Sequence, residues 1–170
     1  MPRPRRTVTA RLTHVDARGR ARMVDVGEKP ATARTARAHG RVHLSAAALR
    51  AVQAGTMRKG DVLAVARLAG IQAAKQTAAL IPLCHSLPLD HVDVELRANA
   101  RRNCIEIEAR AACRGATGVE MEAIVAVCVA AATVYDMCKS ADRTMRIEGI
   151  ELLEKTGGRT GVYRKAAARK

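Results

Sequence analysis

Between Ile124 and Ala132 the chain runs nine residues without a charged side chain. The segment begins at Thr117-Gly118-Val119-Glu120, which fits a capping box, and continues at helical length to about Ser140. From Val125 to Ala132 such a helix has no polar side. It must be buried all round, in a core or in a subunit interface. What surrounds it has to be small. The 170 residues contain no Phe or Trp, and Tyr135 and Tyr163 are the only aromatics. Apolar residues still make up 48% of the chain, so a core can be packed from Val, Leu, Ile, Met and Ala. Small side chains bury little area each, at about 25 cal/mol per Å². Burial between subunits is therefore expected to add stability.

Other segments follow simple periods. From Ala31 to Leu44, Ala38, Val42 and Leu44 alternate with Arg37, His39, Arg41 and His43, the pattern of a half-buried strand. Ser45 can cap a short helix to Gln53, which Gly55 ends, and Asp61 can start a longer one that Pro82 closes. Val92, Val94 and Leu96 form a strand, and beyond the turn at Asn99–Asn103 so do Ile105, Ile107 and Ala109. Met145–Leu153 reads as a last strand, and Gly157-Gly158 opens a loose tail. The order predicts an α+β fold on the ferredoxin-like βαββαβ plan, an antiparallel sheet with helices on one face, in an oligomer. One domain is expected over residues 1–170, with flexible basic ends at 1–20 and 159–170.

The formal charge of +14 points to a polyanion, but its distribution argues against a dedicated nucleic-acid surface. Residues 1–22 carry a net +6 and residues 155–170 another +6, leaving about +2 for the body. A ferredoxin-like nucleic-acid module would also need stacking aromatics, which this chain lacks. The five cysteines, Cys84, Cys104, Cys113, Cys128 and Cys138, include no CxxC, so neither a disulfide framework nor a common zinc signature is present. Reduced thiols suit a cytoplasmic protein. No apolar run is long enough to read as a membrane span, and no secretory h-region follows the basic N-terminus.

The residues that carry chemistry cluster in three places. Asp136 and Lys139 share a helix face near the end of the long helix. An acid at that negative end is disfavoured, so it is either an ion-pair partner for Lys139 or part of a catalytic pair. Leu83-Cys84-His85 follows Pro82 in a loop between elements, where His85 can be a proton shuttle, a phosphate donor or an ordinary turn residue. Cys84 reads equally well as a packed thiol. Glu120 is explained by capping, whereas Glu122 has only a favourable dipole position. Arg34, Lys59, Lys75 and Lys155 are candidate phosphate ligands in a chain with no P-loop. A metal site of Cys84, His85 and His91 matches no common spacing; no metal and no cofactor are expected.

Taken together, LTHVDARGRARMVDVGEKPATARTARA, KGDVLAVARLAGIQAAKQTAALIPLCHSLPL, TGVEMEAIVAVCVAAATVYDMCKSAD and LLEKTGGRTG resemble the cyclic pyranopterin monophosphate synthase family of molybdenum cofactor biosynthesis. The likeness covers about Leu12 to Gly161. It implies a lyase that converts (8S)-3',8-cyclo-7,8-dihydroguanosine 5'-triphosphate to a tricyclic pterin with a cyclic phosphate, releasing diphosphate. By that resemblance Asp136 and Lys139 are catalytic. Leu83, Cys84, His85, Met121 and Glu122 bind substrate, with Lys59, Glu120, Lys155 and Arg34 as further site positions. It also implies a homo-hexamer, a trimer of dimers, with sites at subunit interfaces. Ser86 stands where the family usually has Pro after the histidine, which leaves that turn less constrained.

Overall fold

A computed structural model describes residue 15 and residues 18–159 and 161–166. Of the two expected flexible ends, residues 1–14, 16–17, 160 and 167–170 lie outside the described residues.

Period-two alternation produces the strands. In β1 (Thr32–His43), Ala36, Ala38 and Val42 are buried while Arg37, His39 and Arg41 point away. β2 (Leu89–Asn99) and β3 (Cys104–Gly115) form the expected hairpin, and β4 (Arg146–Thr156) pairs with β1. Every pairing is antiparallel, in the order β2-β3-β1-β4-β5. The two-residue β5 (Tyr163–Arg164) lies in the segment read as a loose tail. There Lys155 and Glu154 offer a free strand edge, which Tyr163 and Arg164 occupy.

The helices are α1 (Ala46–Gln53), α2 (Val62–Lys75), α3 (Thr77–Leu80) and α4 (Glu120–Cys138). Ser45 and Asp61 cap α1 and α2 as their side-chain chemistry predicts, accepting from Ala48 N–H and Ala64 N–H. The second helix stops before Pro82: Gln76 leaves helical geometry and a short α3 follows. The capping box at Thr117–Glu120 does not form. Val119 is the N-cap, and its apolar side chain cannot accept a cap bond, while the Glu120 carboxylate is taken by Lys155 at 2.8 Å. A full positive charge on the neighbouring strand outcompetes a neutral backbone donor.

α4 lies across the sheet, and α2 lies beside it. Their approach is set by glycines. A Cβ on Gly40 would stand 2.8 Å from Val127 Cγ1, and one on Gly70 would stand 2.9 Å from the carbonyl oxygen of Ala126. Ala123, Ala126, Val127, Ala130, Ala131 and Val134 are fully buried at this junction. By length and hydropathy α4 would pass for a membrane span, yet 56% of its most apolar window is buried in the fold. Within the single chain the burial is one-sided. Ala132 is exposed and Ile124, Cys128 and Val129 are half-buried, because the sheet and α2 cover only the inner flanks. Val65 and Leu68 on α2 are also exposed, at 43% and 67%.

One contact was not legible beforehand. Asp142, only 8% exposed, accepts from Ser45 N–H at 2.6 Å and from the N–H and hydroxyl of Thr144 at 2.8 and 2.7 Å. It ties the chain beyond α4 to the start of α1. The Ser45 N–H, then Thr144, holds its carboxyl below the usual carboxylate range.

Two predictions follow from this packing. Gly70→Ala gains about 1 kcal/mol of helix propensity but overpacks a junction where such insertions cost about 1–3 kcal/mol. The variant is expected to melt below wild type in thermal unfolding; a higher melting temperature would disprove the close approach. Asp142 has a depressed pKa, so its stabilisation is present above the unfolded value of about 4 and is lost as pH falls through the folded value. The stability gap between wild type and Asp142→Asn should be largest near neutrality and narrow in acid, as urea titrations across pH would show.

Candidate active site

The charged end of α4 is built by three side chains. Asp136 Oδ1 meets Lys139 Nζ at 2.7 Å, and Asp136 Oδ2 meets Lys59 Nζ at 2.5 Å. Lys59 also donates to the Asp136 carbonyl at 3.1 Å. It comes from the loop between α1 and α2, where Gly60 takes a φ of +88° before Asp61 caps α2. The hydrogen bonds from Lys139 and then Lys59 hold the Asp136 carboxyl at a pKa of about 2. That resolves why an acid is tolerated where the helix dipole disfavours it. Two ammonium groups are held side by side on one carboxylate, at a surface open to solvent and to other chains.

The opposite end of α4 borders a cavity of about 430 Å³ that brings together Leu83, Cys84, His85, Glu120, Met121 and Glu122. The loop after α3 supplies the first three, and a turn from Cys84 N–H to the Ile81 carbonyl shapes it. His85 Nε2 lies 2.7 Å from the carbonyl oxygen of Val24. A carbonyl only accepts, so Nε2 carries a proton and points it at Val24. Glu122 is 4% exposed. Burial pushes its pKa up and the charge of Glu120 adds to this, while its own backbone N–H opposes. Burial, and then Glu122, also raises the Cys84 thiol, which makes it a poor nucleophile.

Arg34 and Lys155 stand at this same end. Arg34 donates to the carbonyls of Gly115 and Ala116 at 3.2 and 3.3 Å, and Lys155 pairs with Glu120. Lys75 and His91 line a neighbouring cleft instead. No group of three or more His, Cys, Asp or Glu is placed so that it could hold a metal ion among the described residues.

Of the nominated residues, then, eight meet around the N-terminal end of α4, while Asp136, Lys139 and Lys59 meet at the other. Sixteen residues separate Glu120 from Asp136, about 24 Å at the helical rise of 1.5 Å. Sequence reasoning missed that Lys59 belongs with Asp136, 77 residues away. It also missed the strap Val24–Lys29 that walls the cavity. The only hint of the first was an unpaired Lys beside a helix-starting Gly-Asp.

The MoaC family model matches residues 23–158. A protein of Thermomicrobium roseum named cyclic pyranopterin monophosphate synthase is 60% identical over 156 residues, 92% of this chain and 94% of that protein. Proteins of the same name from Chloroflexus aggregans and a Methylobacterium species are 58% and 59% identical, over 91% of this chain and 93% and 96% of theirs.

If both ammonium groups depress Asp136, Lys59→Ala and Lys139→Ala should each raise its carboxyl pKa toward the ordinary value of about 3.9. Carbon-detected NMR titration reads this directly. An unchanged midpoint in Lys59→Ala would mean that the bond from Lys59 is not made in solution.

Proposed function

The chain belongs to the MoaC family and carries out the step for which its relatives are named, the synthesis of cyclic pyranopterin monophosphate in molybdenum cofactor biosynthesis; from that premise we propose that Lys139 is its main general acid–base, positioned by Asp136, and that each site is completed by two chains. The substrate in this reading is (8S)-3',8-cyclo-7,8-dihydroguanosine 5'-triphosphate, and diphosphate leaves. The observation that carries the composite site is the separation of about 24 Å between the two groups of residues on α4. One small substrate cannot touch both ends of the same helix.

The roles follow from the chemistry of each end. The cavity is walled by Leu83, Met121 and other apolar side chains, which suit a flat heterocycle, while His85 Nδ1 and the carboxyl of Glu122 are polar groups able to orient it. Cys84 supplies packing. Rearranging the ring moves protons at several atoms, which calls for more than one acid–base group. Asp136 stays ionised throughout the neutral range and holds Lys139 and Lys59 in place. Expelling diphosphate builds negative charge that Lys59, Arg34 and Lys155 can offset, with Glu120 orienting Lys155. No cofactor takes part in this scheme.

The homo-hexamer, a trimer of dimers, is supported by the exposed Val65 and Leu68 and by the half-buried outer stripe of α4, which leave an apolar helical face for another copy. The ferredoxin-like plan is supported by the antiparallel order β2-β3-β1-β4, with β5 added at the edge. A single cytoplasmic domain with basic ends, without a dedicated nucleic-acid or membrane role, completes the reading.

Subunit mixing tests it. Lys139→Ala and His85→Ala should each lower turnover by about 10²–10⁴-fold while folding normally. When the two are unfolded and reassembled together, roughly a quarter of the sites would combine an intact cavity with an intact Lys139. Recovery of activity is expected. No recovery from a mixed oligomer, or near-normal turnover by Lys139→Ala, would overturn the assignment.

A further inference from the structure

The strap between Val24 and Lys29 is pinned at both ends. The Val24 carbonyl accepts from His85 at 2.7 Å, and Gly27 N–H donates to Asp25 Oδ1 at 2.9 Å. Lys29 N–H closes a turn onto the Val26 carbonyl at 3.0 Å, and Pro30 then leads into β1. The backbone of Lys29 is therefore fixed, yet its side chain lies on the cavity wall and is exposed.

It is the one Lys or Arg among the residues lining that cavity. Of the two carboxyl groups there, Glu120 is neutralised by Lys155 at 2.8 Å, and burial pushes Glu122 toward its uncharged form. Lys29 makes no ion pair among the described residues. A cation is thus held at the mouth of a largely apolar cavity, with no internal anion to satisfy it.

We infer that Lys29 is a substrate-contacting residue, the ammonium that engages a phosphate oxygen of the substrate at the mouth of the cavity. The inference rests on this cavity being the substrate site. A fixed backbone with a free side chain suits the role. The charge arrives with the polyanion and need not be stripped from a protein partner first. Lys29 does not enter the proton transfers, so its removal weakens binding more than it slows chemistry.

Steady-state assays of diphosphate release, with the cyclic GTP-derived triphosphate as substrate at two KCl concentrations, test this. Lys29→Ala and Lys29→Gln should raise KM roughly ten- to hundredfold, the range for one charge-assisted hydrogen bond, with kcat changed only a few-fold. The salt dependence of KM should become shallower, and Lys29→Arg should restore both. Unchanged KM in Lys29→Ala and Lys29→Gln overturns the inference, whatever happens to kcat. His85→Ala separates the two levels. If it loses activity while Lys29→Ala keeps a normal KM, only the role of Lys29 fails. If His85→Ala is also normal, the cavity is not the substrate site.

Discussion

Close approach of small side chains at the α2–α4–sheet junction is the constraint on which everything else rests. Without Phe or Trp, the fold cannot span a gap between layers with one large side chain. The layers have to move together until Ala, Val and Gly touch. Gly40 beneath Val127 and Gly70 beneath Ala126 are where that movement ends. The contact fixes the position of α4, and α4 carries a group of reactive residues at each end.

Two carboxyl groups on this helix illustrate how placement decides charge. Glu122, at the positive end, ought to be comfortable as an anion, but burial dominates and raises its pKa. Asp136, at the negative end, ought to be raised, but two ammonium groups dominate and lower it to about 2. In each case the local environment, burial for Glu122 and two ammonium groups for Asp136, overrides the helix dipole, whose influence is at most about 2 kcal/mol. One helix therefore presents a carboxyl group of raised pKa at one end and a permanent anion at the other.

Much of this was visible in the chain itself. Alternation in Arg37–Val42 and Val92–Leu96, the caps at Ser45 and Asp61, and the apolar run from Val125 are local patterns, and local patterns survive folding. The grouping of Leu83, Cys84 and His85 with Met121 and Glu122 was also anticipated, though from resemblance and not from spacing. What stayed hidden was non-local. Glu120 abandons its cap for Lys155, brought beside it by β4. Gln76 ends α2 early, β5 captures part of the tail, and Lys59 joins Asp136 across 77 residues. No periodicity encodes a partner on another element.

The clamp between Asp142 and Ser45 bears on that last contact through chain connectivity. Considered alone, joining Lys59 to Asp136 closes a loop of 77 residues. Once Ser45 is tied to Asp142, the path between the same two groups shortens to ~20 residues, and the entropy lost on closing it falls by about 1 kcal/mol. A buried carboxylate that touches neither lysine thus makes the meeting of Lys59 with Asp136 less costly. It does so by having already confined the chain on which Lys59 is carried.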